Sequence, residues 1–314
     1  MSISDLGEFG LIEAIAAALP RSDRTVVGIG DDAAVLTAPD ARVVATTDLL
    51  VEGRHFRRDW SSATDIGAKA AAQNLADVAA MGAVPVALLV GFAAPGDLTV
   101  AWARELVAGI AAECSRAGAT VVGGDVSSAE SVVLAITALG DLAGRDPVTR
   151  AGARPGDVLA YAGVLGESAA GLALLEAGLT RPAPLIAAHR RPAPPYHAGP
   201  EAAGLGATAM IDVSDGLLAD AGHLARASGV QVDIDTGLLP ANPALAEAAT
   251  ALGLPGALDW VLTGGEDHAL AATFPAGRDL PGYWTVIGQV REGQGVLVDG
   301  NAVTGRAGWN HFSE

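Results

Sequence analysis

Residues 43–94, VVATTDLLVEGRHFRRDWSSATDIGAKAAAQNLADVAAMGAVPVALLVGFAA, hold the pattern that decides the fold. Val43–Leu50 is rich in β-branched residues and reads as a strand. Thr64 or Asp65 is placed to cap a helix running to about Met81; Gly82 suits the position after its last turn, and Pro85 prevents a restart. Pro85–Ala94 is a short apolar run and reads as a buried strand. Working outward, Asp97 is expected to cap a second helix, with Leu106, Val107, Ile110, Ala111 and Cys114 at helical spacing and Gly118 as its stop. Thr120–Val122 and Ser131–Gly140 read as further strands. The first half is therefore a ββαβαββ arrangement, a mixed sheet with two helices on one face.

Asp141–Asp157 collects Gly144, Pro147, Pro155 and Gly156, and the domain boundary is placed there, giving domains 1–147 and 148–314. Beyond it the pattern predicts a strand at Val158–Val164, a helix from about Ser168 to Ala177, and a Pro/His/Arg-rich loop from Arg181 to Pro200. A strand near Thr208–Val213, a helix from about Asp215 to Ser228 and a strand at Val230–Asp235 follow. A short helix after Asn242-Pro243 and strands near Ala269–Phe274 and Trp284–Val290 complete an α+β sandwich. There is no internal repeat.

Composition narrows the function. Of 314 residues, 50% are hydrophobic, enough for a sizeable core. Nineteen Lys plus Arg against 36 Asp plus Glu leave a net charge of −17. No basic face is available for nucleic acid, and an anionic membrane would be repelled. An anionic ligand remains acceptable if metal ions bridge the repulsion. The single cysteine, Cys114, permits neither an intramolecular disulfide nor a Cys-based zinc site. The N-terminus lacks a leader pattern and the apolar stretches are too short to span a bilayer, so a cytoplasmic protein is expected.

Carboxylates at element ends carry the chemistry. Gly28-Ile29-Gly30-Asp31-Asp32-Ala33 formally fits G-x-G-x-x-A, but two acids stand where backbone N–H groups should cradle a pyrophosphate, and no amphipathic helix follows. It reads as a tight loop offering Asp31 and Asp32 to a metal, or as a plain acidic turn. Thr46-Thr47-Asp48 puts a charge in an apolar strand, costly unless paired or metal-bound. Gln73-Asn74-Leu75-Ala76-Asp77 sets Asp77 near a helix C-terminus, where the dipole disfavours an acid by ~0.3–1 kcal/mol. Lys69 is two turns away, so a metal is the better partner, with a solvated helix face as the alternative. A strand ends in Gly123-Gly124-Asp125, which alone could be a hairpin turn; Asp212 and Asp215 flank Ser214 where a strand meets a helix, and one of them reads equally as the N-cap; Gly264-Gly265-Glu266-Asp267 is another Gly-Gly-acid turn before a strand. Mg²⁺ usually takes one or two protein carboxylates and completes its shell with water and phosphate, so these acids suit several Mg²⁺ ions on a polyphosphate. There is no Walker A loop, no H-E-x-x-H, and no convincing activated nucleophile. Phosphoryl transfer needs little covalent help from the protein.

The order of these motifs resembles the thiamine-monophosphate kinase family of the aminoimidazole-ribonucleotide-synthetase-like superfamily. The resemblance runs from Gly7-Glu8-Phe9 through Glu52-Gly53-Arg54-His55-Phe56, Asn74-Leu75-Ala76-Asp77 to Met81-Gly82-Ala83, Arg150 to Asp157, and the terminal Gly308-Trp309-Asn310-His311-Phe312. It implies transfer of a phosphoryl group from ATP to thiamine phosphate, with Mg²⁺, in a homodimer whose N-terminal sheets form a barrel. By resemblance Asp32, Thr46, Thr47, Asp48, Asp77, Asp125, Asp212 and Asp215 are metal ligands; Asp31 joins them or is structural. Gly124, Asp125, Arg150 and Ser214 are ATP contacts, and His55, Glu266 and Trp309 are thiamine phosphate contacts. Asp48, Asp125 and Asp215 are the expected catalytic acids. In one departure, the family often has Tyr-Glu-Leu after Gly-Gly-Glu-Asp, whereas His268-Ala269-Leu270 stands here. A cyclo-ligase of the same superfamily and a non-catalytic acidic metal-binding protein are the alternatives.

Overall fold

The computed structural model describes residues 34–303, together with 5, 11, 13–17, 19–20, 22–27 and 308. The chain divides into two compact units: residues 1–78 with 83–144, and residues 79–82 with 145–314. Among the described residues no helix is long and apolar enough to cross a membrane.

The first unit holds a short antiparallel pair, β1 (Thr25–Val27) and β2 (Val35–Leu36), and a four-stranded sheet. The sheet is built from β3 (Val44–Val51), β4 (Val84–Ala94), β5 (Thr120–Ser128) and β6 (Val133–Asp141), in the order β3-β6-β4-β5. Only β4 and β5 run parallel. A parallel pair needs a crossover, which here contains α2 (Val100–Ala117). α1 (Ala63–Ala80) crosses between β3 and β4.

Both helix starts differ from expectation. Ser62 caps α1: its Oγ accepts from Asp65 N at 3.2 Å, while Asp65 Oδ2 accepts from Ser62 N at 3.2 Å, a reciprocal capping box. Thr99 rather than Asp97 caps α2, accepting from Trp102 N at 3.1 Å. Side-chain reach to the third residue decides both, and several polar residues in each loop compete for that role. On α1 Lys69 is 2% exposed and Asn74 0%, which rules out the alternative of a solvated face at these two positions. Glycines explain its close embrace by α2. A Cβ on Gly67 would lie 2.0 Å from Leu106 O, and one on Gly109 would lie 2.1 Å from Thr64 O.

The second unit is a seven-stranded sheet flanked by helices. In chain order it has β7 (Val158–Ala162), α3 (Glu167–Glu176), α4 (Ala183–Arg190), α5 (Ala198–Leu205) and β8 (Ala209–Val213). Then come α6 (Leu217–Ser228), β9 (Gln231–Ile234), α7 (Pro243–Ala251) and α8 (Leu258–Thr263). β10 (Ala269–Phe274), β11 (Trp284–Arg291), β12 (Gly295–Val298) and β13 (Asn301–Ala302) close the unit. The order is β13-β12-β9-β11-β7-β10-β8. β8 and β10 are buried at every position, so both faces are covered there. The main core joins Leu159, Ile211, Leu217, Leu224, Val232 and Ile287, and α3, α4 and α7 share a second cluster around Leu174, Leu185 and Leu245.

The stretch 181–200, expected as a loop, contains α4 and the start of α5. Its prolines mislead because Pro182 and Pro184 sit at the α4 start, where a missing N–H costs nothing. Asn242 caps α7 as its sequence implies, accepting from Ala244 N at 3.0 Å.

Candidate functional site

Acid-bearing motifs fall on both units. In the first, strand alternation sends Thr46 and Asp48 toward α1. Thr46 Oγ1 donates to Asp77 Oδ2 at 2.8 Å, and Asp48 N donates to Asn74 Oδ1 at 3.0 Å. Asn74, held in turn by its own donation to Ala70 O at 3.0 Å, locks strand to helix. Thr47 points the other way; its hydroxyl donates to Ile136 O at 2.9 Å. A metal on the Asp48 face would therefore meet Thr47 through its main chain, not its hydroxyl.

His55 follows β3 in a tight turn. Its Nδ1 accepts from Val51 N at 3.0 Å, which places the ring proton on Nε2. Buried Lys69 donates to His55 O at 3.1 Å, so α1 also fixes this turn.

Asp125 is not brought to this cluster. It is exposed on β5, opposite Gly91, whereas Asp48 is on β3 at the other edge of the sheet. Three inter-strand steps separate the two strands, roughly 14 Å. Gly124 is explained locally, since a Cβ there would lie 2.0 Å from Val90 O. Gly124 and Asp125 help line a cavity of about 90 Å³ with Val90, Phe92, Leu106 and Ile110. Cys114, buried in α2, has its thiol pushed up to about 12 by burial and then by the Glu113 charge, which leaves it inert as a nucleophile.

In the second unit Asp212, 4% exposed, is the last residue but one of β8, and the loop to α6 carries Ser214 and Asp215. Asp220, in the first turn of α6, accepts from Asp215 N and Gly216 N, both at 3.1 Å. Burial, then the charges of Asp212 and Asp215, push its carboxyl up to about 7. Asp215, Asp220 and His223 offer ligand atoms within 4.8 Å of one another. Sequence reasoning missed Asp220 and His223; their three-residue spacing on one helix, just after Asp215, was the available signal.

The Gly264–His268 turn lies against this loop. Glu266 N donates to Ser214 O at 2.8 Å and His268 N to Val213 O at 2.9 Å. Glu266 and His268 adopt φ of 64° and 54°, a left-handed geometry that non-glycine residues resist. His189 Nδ1 lies 3.6 Å from Glu266 Oε2 and 3.2 Å from Ser168 Oγ. Asp267 accepts from Ser168 N at 2.8 Å and Gly166 N at 2.5 Å, and burial pushes its carboxyl up to about 7. Arg150 is exposed before β7, its carbonyl accepting from Ser228 Oγ at 3.0 Å. Gly308 lies against Asp215, where a Cβ would be 2.5 Å from the Asp215 carbonyl. Asp31, Asp32 and Trp309 lie outside the described residues.

Comparison with known proteins gives the same picture along the whole chain. Residues 30–142 match the family described as AIR synthase related protein, N-terminal domain, and residues 154–299 match its C-terminal domain. A thiamine-monophosphate kinase from Mycobacterium tuberculosis (strain ATCC 25618 / H37Rv) is 50% identical over 315 residues, covering 100% of this chain and 94% of that protein. The crystal structure of a thiamine-monophosphate kinase from Stenotrophomonas maltophilia K279a superposes with a TM-score of 0.82 at 36% identity, covering 93% of this chain and 96% of that one. AaThiL complexed with AMPPCP and TMP gives the same TM-score of 0.82 and 36% identity, with 99% of each chain covered. The chain belongs to the AIR synthase-related family and, within it, to the thiamine-monophosphate kinases.

Proposed function

We propose that this chain phosphorylates thiamine phosphate with ATP, giving thiamine diphosphate and ADP. The full-length 50% identity to a thiamine-monophosphate kinase carries this reading, and the relative complexed with AMPPCP and TMP supports both ligands. In the reaction a phosphate oxygen of thiamine phosphate bonds to the γ-phosphorus, and the bond from that phosphorus to the β,γ-bridging oxygen breaks. The acceptor's second ionisation lies near pKa ~6, so at neutral pH it needs no base to remove a proton. That accounts for motifs rich in acids and without an activated nucleophile.

Carboxylate oxygens with a threonine hydroxyl beside them suit Mg²⁺ in the first unit; in the second, Asp215 and Asp220 bring two carboxylates together with the His223 imidazole. Asp48 and Asp77, with Thr46, would hold ions from the first unit; Asp212 and Asp215 would do so from the second. Asp32 and Asp125, with Asp31 and Thr47, complete the proposed ligand set. Bound Mg²⁺ supplies positive charge that offsets phosphate repulsion in a chain of net charge −17. Asp48, Asp125 and Asp215 are the acids on which turnover depends most. Gly124, Arg150 and Ser214 contact ATP, while His55, Glu266 and Trp309 hold thiamine phosphate.

Residues 1–147 bind ATP and Mg²⁺ and dimerise; residues 148–314 complete the substrate site. Val43 and Leu49, on or beside edge strand β3, are 55% and 56% exposed. An apolar sheet edge and face of this kind invites pairing, which supports closure with a second copy into a barrel. Incubating the purified chain with ATP, Mg²⁺ and thiamine phosphate tests the function. Thiamine diphosphate and ADP in equal amounts are expected; ADP without thiamine diphosphate, or neither, contradicts the reading.

A further inference from the structure

We infer that His268 is a positioning residue that holds the Asp212 carboxylate for cation binding, tying the Gly264–His268 turn to the Asp212–Asp215 loop. The inference rests on reading Asp212 as a metal ligand. His268 Nδ1 stands 3.2 Å from Asp212 Oδ2, with 8% and 6% of the two side chains exposed. A ligating carboxylate is deprotonated, so the proton in this contact sits on Nδ1, which donates it. With Oδ2 engaged by the ring, Asp212 cannot rotate freely, and its other oxygen is left for a cation.

The backbone around this contact is built to hold it. Asp212 pairs with Leu270 across β8 and β10, so His268 stands two residues before the ladder partner, at the mouth of the strand pair. His268 N donates to Val213 O and Glu266 N to Ser214 O. A Cβ on Gly265 would come within 2.5 Å of Ser214 O, and one on Gly216 within 2.6 Å of Thr263 O, so turn and loop meet backbone to backbone. His268 keeps a φ of 54°. Such a conformation persists only where the surroundings over-determine it, and it often marks a working site.

Three variants separate a donor from a space-filling ring. His268→Phe keeps the ring and loses the donor. His268→Asn places an amide nitrogen near the Nδ1 position and tolerates positive φ. Asp212→Asn weakens the ligand itself. Mn²⁺ is titrated into each folded protein by calorimetry in the presence of AMPPCP, with a melting curve as the check on folding. Partners of metal ligands typically contribute 10–100-fold in affinity, so His268→Phe should raise the Mn²⁺ Kd by ~10-fold or more, with His268→Asn close to the parent. If His268→Phe does not fold, His268→Ala makes the same comparison. Equal Kd values in the parent and His268→Phe, with Asp212→Asn weakened, overturn the inference while leaving the metal reading intact. An unchanged Kd in Asp212→Asn overturns the metal reading, and the inference with it.

Discussion

The acid cluster of β3 and α1 and that of β8 and α6 solve the same problem in opposite ways. In the first, the Asn74 amide holds the Asp48 main chain and the Thr46 hydroxyl donates to the Asp77 carboxylate, on a helix clamped by interlocking glycines. In the second, Asp215 and Asp220 crowd beside Asp212, and Asp220 is pushed up to about 7. Packing organises the first cluster before any ligand arrives. The second gathers like charges on a loop that backbone hydrogen bonds already hold, so its carboxylates repel one another where no cation is present.

The strongest way to break this comparison is to remove acids one at a time. Asp48→Asn, Asp125→Asn and Asp215→Asn should each lower kcat by ~100-fold or more, the scale of losing one preorganised electrostatic contact, and EDTA should abolish turnover. Without Mg²⁺, Asp215→Asn should melt above the parent because it removes a charge that opposes Asp220, whereas Asp48→Asn should not. Steady-state rates and melting curves read both, and near-normal turnover in the variants would sink the metal assignment.

Proton linkage sharpens the contrast further. Asp220 and Asp267 have carboxyls pushed up from 3.8 to about 7. Between those values the folded chain keeps protons that the unfolded chain has released. Without Mg²⁺, unfolding free energy should therefore fall as pH rises from about 4 to about 7 and level off above, by on the order of several kcal/mol for the two groups together. Asp220→Asn should flatten part of that slope and Asp267→Asn another part. Denaturant titrations at several pH values decide it; a slope of the opposite sign contradicts the burial argument.

Packing should be unforgiving where α1 meets α2 and lenient at Gly222 on α6. Gly67→Ala drives a Cβ toward Leu106 O and should cost ~1–3 kcal/mol. Gly222, in α6, has only Val296 Cγ2 near, at 3.9 Å. Gly222→Ala should be neutral or stabilise by ~0.4–1 kcal/mol. Melting temperatures moving together in the two variants would remove the distinction.

The smallest effect concerns the tail. Gly308 lies beside Asp215, and Trp309 follows it in the sequence. An indole stacked on thiamine contributes ~0.5–2 kcal/mol. Trp309→Ala should raise KM for thiamine phosphate about tenfold and leave that for ATP little changed. A change in thermal stability alone makes Trp309 a structural plug.

Much of this was legible in the sequence, for physical reasons. Asp48 and Asp77 stand out because a charge amid apolar residues demands a partner, and the glycine and proline around α1 fix its end. The caps Ser62 and Thr99 were missed because neighbouring Thr64, Asp65 and Asp97 have equal propensity, and only the actual turn decides. The burial of Lys69, on the side opposite Ala68, Ala71 and Leu75, was not legible because alanine around most of a helix gives little period to show that a second face is covered. Asp220 was missed although it stands only five residues after Asp215, whereas the contact of His268 with Asp212 joins residues 56 positions apart and leaves no local pattern. The separation of Asp48 from Asp125 is a matter of strand order, which motif order along the chain does not encode.

The central claim is that the phosphoryl group passes directly between the two substrates, with no covalent enzyme intermediate. ATP made chiral at the γ-phosphorus with oxygen isotopes reports on it directly. A single in-line transfer inverts that centre in the thiamine diphosphate product, and inversion is the predicted result. Retention would mean two successive transfers through a phosphorylated side chain and would contradict the account.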